Sequence, residues 1–261
     1  MLVAAVAVVN DVFVLAWKLA PCSIAGMVEL ARKDQQEHEG KRPSLVDEAY
    51  AALKEAIRNT AFPPGYQGSE QEIAVRLGMS RTPVHEAIIR LQEDGLVRVL
   101  AKRGVLICPL APEDIREIYE VLIAIEAMAA ELLAGLSEAE REAAADALEA
   151  ANAEMDAALA QDDLRRWADA DDRFHKLLVE RCGNGRLRRV AQTVTDQAHR
   201  ARMLTLKLRS RPSGAAASHR RILDAIRAGD VAQAQLEARA HRVGARDELV
   251  PLIKEIGLRH M

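Results

Sequence analysis

The chain has 261 residues, 49% apolar and 29% charged, enough to bury a proper core in two compact domains and stay in solution, so global disorder is excluded. Aromatics are only 3%, which disfavours a β-sandwich and favours packed helices. The net charge of −3 speaks against a nucleic-acid partner only if it is spread evenly. It is not: residues 41–109 hold 10 Lys/Arg against 8 Asp/Glu, whereas residues 110–261 hold 23 against 26.

The first 40 residues stand apart. Leu2–Ala20 is apolar, but Asn10, Asp11 and Lys18 interrupt it and no basic segment precedes it, so it makes a poor membrane span or signal peptide. The reading adopted is an N-terminal extension over residues 1–40, with translation starting near Met27. A membrane-attached protein anchored by residues 2–20 is the alternative. Cys22, Cys108 and Cys182 are odd in number and show no C-x-x-C spacing, in keeping with a reducing cytoplasm.

Between Ser44 and Thr60, Leu45, Ala49, Leu53, Ala56 and Ile57 recur at helical steps, with Ser44 as N-cap. Phe62-Pro63-Pro64-Gly65 must end that helix. A second helix runs from about Ser69 to Leu77 and stops at Gly78. A third is opened by Ser80 or Thr82, with Pro83 in its first turn and Val84, Ile88 and Leu91 inward. Two short helices across a glycine turn form a helix-turn-helix, whose second helix suits the DNA major groove. Gly95–Leu100 and Val105–Cys108 are β-rich and flank Ala101-Lys102-Arg103-Gly104, a hairpin with a basic tip. Ser80, Arg81, Thr82, Arg90, Lys102, Arg103 and Gly104 are therefore candidate DNA contacts on residues 41–109.

From Pro112 onward about six helical segments follow, separated by signals at Gly135, Ser137-x-x-Glu140, Gly183, Gly229 and Asp230, and no strand pattern appears. The expected fold is mainly α: a winged helix-turn-helix followed by an all-α antiparallel helical bundle over residues 110–261. Asp171 and His175 sit four apart on one helix, Asp162 to Arg181. His219 begins another helix, and His241 lies in the last long one. Three imidazoles and a carboxylate suit zinc, nickel or manganese with positions left open. Taken alone, an Asp-His pair at this spacing is weak evidence.

The run Leu77-Gly-Met-Ser80-Arg-Thr-Pro-Val84-His-Glu-Ala-Ile88-Ile-Arg-Leu91-Gln-Glu-Asp-Gly95-Leu-Val97, with Pro63-Pro64-Gly65 before it and Arg103-Gly104 after it, resembles the recognition segment of the GntR family of bacterial regulators. The resemblance implies that Arg81 bonds a guanine or phosphate, that Ser80 and Thr82 hold phosphates, and that Arg103-Gly104 enters the minor groove. At His85 the family usually has arginine, which reads guanine with two bonds where a neutral imidazole cannot. Asp171-Asp-Arg-Phe174-His175, Gly183-Asn184, His219 to Ile226, Gly229-Asp230 and His241 resemble the FCD domain of the FadR-type subgroup. In that subgroup the residues matching Asp171, His175, His219 and His241 bind a divalent metal, and relatives often hold a small organic acid. Where the family has an arginine for that acid this chain has Leu122, so Arg200 and Arg202, with Asn184, become the candidate effector contacts. His38, His199 and His260 have no such support.

Together these features imply a homodimeric cytoplasmic regulator of double-stranded DNA, repressor or activator, modulated by a small carboxylate effector at a metal-containing pocket. A metal that is purely structural is an alternative. A metal-dependent helical enzyme is the competing class, disfavoured because no second base stands beside the ligands and the winged head would be unexplained.

Overall fold

A computed structural model describes residues 43–209 and 211–256. The N-terminal extension, the proposed start at Met27, Cys22, His38 and His260 lie outside them. The described residues divide into two compact units, with the boundary between Cys108 and Pro109. Among the described residues there are nine helices and one three-stranded sheet.

The first unit holds α1 (Leu45–Arg58), β1 (Gln67–Gly68), α2 (Glu70–Leu77), α3 (Arg81–Glu93), β2 (Val97–Leu100) and β3 (Gly104–Ile107). Ser44 and Ser69 both begin their helices with a capping box, paired with Asp47 and Glu72, so the first backbone donors of α1 and α2 are satisfied. The apolar stripes of α1 to α3 close with Phe62, Leu96, Val97, Val105 and Ile107 into one core. Gly78, at φ +66°, ends α2 in the left-handed conformation and turns the chain into α3. Of the two openings expected for α3, Ser80 is the N-cap residue, although its side chain makes no capping bond.

β2 and β3 form the antiparallel hairpin expected from their composition, and β1 adds a third strand in the order β1-β3-β2, with Gln67 opposite Leu106. Pairing of β1 brings the Gly68 carbonyl so close to Gly104 that a Cβ there would lie 2.4 Å from it. Gly104 is therefore required by space as well as by its φ of +86°.

The second unit consists of α4 (Pro112–Ala134), α5 (Glu138–Ala160), α6 (Leu164–Arg181), α7 (Gly185–Thr205), α8 (Ala215–Ala228) and α9 (Val231–Ile256). The separators act as the sequence implies: Gly135 caps α4, Ser137 and Glu140 form a capping box, and Gly229 ends α8 at φ +68°. One correction concerns α8, which starts at Ala215 and so places His219 in its second turn rather than at its beginning. The largest apolar cluster unites α4, α5, α6, α8 and α9 through residues such as Leu133, Leu148, Phe174, Leu223 and Ala238. No helix among the described residues is long and apolar enough to cross a membrane.

Candidate metal centre and nucleic-acid interface

On the first unit, burial along α3 alternates so that Pro83, Val84, Ala87 and Ile88 face the core while Arg81, Thr82, His85 and Arg90 face outward. Glu70, at the start of α2, takes two of these: Arg81 Nε lies 3.4 Å from Oε2 and His85 Nδ1 2.9 Å from Oε1. Arg81 is still 67% exposed and His85 51%, so both remain available. Lys102, Arg103 and Ser80 are exposed. A cleft of about 430 Å³ runs between Glu70, Arg81, Leu100, Lys102 and Gly104, bringing the start of α3 and the hairpin tip to one surface. Arg90 is placed differently, its guanidinium 4.2 Å from the Tyr50 ring centroid and Nη1 2.8 Å from Asp47.

In the helical unit, His175 on α6, His219 on α8 and His241 on α9 converge. His241 Nε2 lies 3.2 Å from both His219 Nε2 and His175 Nε2. The other ring nitrogens decide what this means. His175 Nδ1 donates to Glu126 at 2.8 Å. Ser218 gives its hydroxyl proton to the Ala215 carbonyl at 2.8 Å, so it accepts from His241 Nδ1 at 2.7 Å. With both Nδ1 atoms protonated, His175 and His241 aim bare Nε2 lone pairs at one another, a repulsive arrangement unless a cation stands between them. Four-coordinate zinc with bonds near 2.05 Å sets neighbouring nitrogens about 3.3 Å apart, close to the observed spacing.

Phe174 stacks on His219 with ring centroids 3.8 Å apart and planes 1° from parallel, which fixes that imidazole. Burial pushes the pKa of all three histidines well below the ordinary value, assisted by the positive charge of Arg242, so the rings are neutral and competent as ligands.

Asp171 is adjacent to this group rather than inside it. Its Oδ2 is 2.7 Å from Arg202 Nη2, while Oδ2 and Oδ1 are each 3.8 Å from His175 Nε2 and His219 Nε2 respectively. Burial would raise the Asp171 carboxyl, but Arg202 and the surrounding positive groups hold it below the usual range.

The structure adds residues absent from the sequence reading. Glu126 and Arg242, both buried, form a two-point ion pair: Nε donates to Oε2 at 2.7 Å and Nη2 to Oε1. Arg242 also lies over the Tyr119 ring, 5.8 Å from its centroid. Leu122, which stands where the family has an arginine, is fully buried in the apolar cluster with Tyr119. An arginine from α9 thus lies against the residues flanking that position. A signal for Glu126 exists, since it falls on the apolar stripe of α4 four residues after Leu122.

A cavity of about 390 Å³ reaches this cluster and is lined by Tyr119, Asp171, Arg202, His241 and Arg242 among others. Arg202 and Arg200 are both buried, rather than at the surface, but only Arg202 lines the cavity. Asn184, expected as an effector contact, is exposed at the start of α7, where its side-chain oxygen accepts from the backbone of Arg186 and Leu187. That is a helix cap, the commonest use of asparagine before a helix. His199 is buried outside the cluster, near Asp169 and Asp172.

Residues 45–107 match the bacterial regulatory proteins of the gntR family, and residues 117–243 match the FCD domain. The chain is 56% identical over 134 residues to an HTH-type transcriptional regulator of the TAR-I ttuE-ttuC′ intergenic region of Agrobacterium vitis, covering 51% of this chain and 78% of that one. It is 31% identical over 193 residues to the HTH-type transcriptional regulator YdhC of Bacillus subtilis, covering 74% and 85%. The fold matches a crystal structure described as a GntR regulator of Rhodococcus sp. RHA1, with TM-score 0.68 and 24% identity, over 80% of this chain and 99% of that one.

Proposed function

The chain belongs to the gntR family and carries an FCD domain, which makes it a DNA-binding transcriptional regulator and not an enzyme, and from that premise we propose that its helical domain senses an organic acid through a bound divalent metal. The observation that carries the proposal is the convergence of the three imidazoles, with His241 Nε2 3.2 Å from both His175 Nε2 and His219 Nε2. His175, His219 and His241 hold the ion, zinc, nickel or manganese, and Asp171 completes the set. Such an ion supplies an electrophilic centre on which a carboxylate oxygen can bind. Arg202 faces the same cavity and binds the acid.

On the first unit, the proposed DNA contacts are Ser80, Arg81, Thr82 and His85 on the recognition helix with Lys102, Arg103 and Gly104 on the hairpin. Arg90 supports α3 by its contacts with Tyr50 and Asp47. A homodimer in the cytoplasm would present two such heads to a two-fold symmetric operator, and ligand binding shifts their DNA affinity only if it favours one arrangement of the heads.

The test is metal content by mass spectrometry on the wild type and on a His219→Ala, His241→Ala double variant, with a DNA shift assay on both. About one metal per chain, lost in the variant, is the expected result. A metal-free wild type that still binds DNA would leave the regulator and remove the metal-centred sensor.

A further inference from the structure

His85 lies one turn beyond Arg81 on the outward face of α3, near enough to the helix start to meet base edges when that end enters a major groove. Its ring is half exposed, and Nδ1 is 2.9 Å from Oε1 of Glu70, a mostly buried side chain whose other oxygen faces Arg81. An ionised carboxylate only accepts hydrogen bonds, so Nδ1 is the nitrogen that carries the proton. In a neutral imidazole the second nitrogen then carries none. Nε2, the remaining polar atom of the ring, is therefore a bare acceptor.

Carbon atoms flank Nε2 in the ring, so it offers one acceptor with no donor beside it. The base edges of the major groove sort against such a group. Guanine presents two acceptors, and thymine presents one beside its methyl group, so both set lone pair against lone pair. Adenine presents an amino donor with the N7 acceptor next to it. Cytosine presents an amino donor alone. Arg81, which has only donors, has the opposite complement and suits guanine. Two side chains held by one carboxylate thus favour opposite kinds of base edge.

Resting on α3 as the recognition helix, we propose that Glu70 sets the tautomer of His85 and so makes it a reader of cytosine, Nε2 accepting from the N4 amino group at one base pair of the operator. Glu70 is a positioning residue: it touches no base and acts by fixing which ring nitrogen of His85 holds the proton.

The test selects operators from random duplexes with the wild type and with His85→Ala, at pH 8, above the ordinary imidazole value of about 6.5. One G·C pair should lose its preference in His85→Ala while the other positions keep theirs, with circular dichroism unchanged. Two modified bases at that pair then show which partner is read. N4-methylcytosine, whose methyl group takes the place of the amino hydrogen facing the major groove, should weaken wild-type binding by about 3- to 10-fold. 7-Deazaguanine, which lacks the N7 acceptor, should leave it unchanged. In Glu70→Gln the amide can donate as well as accept, both tautomers of His85 become available, and the loss caused by N4-methylcytosine should shrink. The same loss in Glu70→Gln as in the wild type would overturn the positioning role. An A·T pair at the affected position, sensitivity to 7-deazaguanine, or no affected position would overturn the cytosine assignment and leave α3 in the groove, provided Arg81→Ala still weakens binding. Should Arg81→Ala also bind the operator like the wild type, both readings fall.

Discussion

Arg242 and Glu126 meet side chain to side chain in the buried interior of the helical unit although 116 residues separate them, and the Glu126 oxygen that accepts from Arg242 also accepts from His175. One carboxylate thus ties α9 to α4 and sets the tautomer of a candidate metal ligand. Burial works against the Arg242 charge, and Glu126 more than compensates, raising its pKa above the ordinary value.

Removing the guanidinium strands a buried carboxylate. Arg242→Leu should cost about 3–5 kcal/mol, whereas replacing both partners, Glu126→Gln with Arg242→Met, should recover much of that loss. Chemical denaturation of the three proteins measures it. Glu126→Ala should weaken metal binding by about 10- to 100-fold through the lost partner of His175 Nδ1. A single Arg242→Leu as stable as the double variant would show that the pair carries no net charge penalty.

Stability of the metal-free protein should depend on pH through the three buried imidazoles. Their folded pKa values lie below the unfolded value of about 6.5. The unfolded chain therefore binds more protons once the pH falls below about 6.5, so the stability they contribute is complete above that value and lost as pH falls toward the folded pKa values. Three groups give at most about 4 kcal/mol per pH unit. Thermal melts between pH 8 and 5 should show a plateau and then a decline, and the decline should be shallower in His241→Gln. Equal slopes in the two proteins would remove the imidazoles as its cause.

Helices and their ends were readable because they depend on local chemistry: Ser44, Ser69 and Ser137 with an acid three residues on, and Gly78 or Gly229 at a left-handed turn, act within one turn of chain. The three histidines were readable from their helical positions only with the help of a family resemblance. Arg242 was not, and Glu126 only as an acid on an apolar stripe, because a charge on a helix is ordinarily solvated and the burial of this pair depends on a partner more than 100 residues away. β1 escaped for another reason: two residues carry no periodicity, and the pairing exists only because β3 offers an edge. Asn184 acts within the same reach of chain, its side-chain oxygen capping α7.

The hairpin tip gives a prediction about backbone. Gly104→Ala combines a positive φ with a Cβ 2.4 Å from the Gly68 carbonyl, a backbone atom that cannot rotate away. Strain of this kind costs about 1–3 kcal/mol, and relief requires β1 to separate from β3. The thermal midpoint should fall and hydrogen exchange at the Ile107 amide, which donates to the Tyr66 carbonyl, should accelerate. Unchanged exchange there would mean the strand pair tolerates the methyl group.

Glu70 holds both Arg81 and His85 on the exposed face of α3, so a negative charge sits where DNA phosphates are proposed to approach. Two effects compete. The carboxylate repels the duplex, and it also restricts Arg81 to fewer orientations than a free arginine would sample. Arg81→Ala should weaken binding to an operator selected from random duplexes by about 1–3 kcal/mol without altering the circular dichroism spectrum. Glu70→Gln should raise affinity for unrelated DNA, because repulsion is removed whatever the sequence, while lowering the ratio of operator to unrelated binding, because Arg81 is less confined. Fluorescence anisotropy across a salt series separates these outcomes, since the electrostatic part declines with salt on both duplexes. Operator affinity unchanged in Arg81→Ala would displace α3 from its assigned role as the recognition helix.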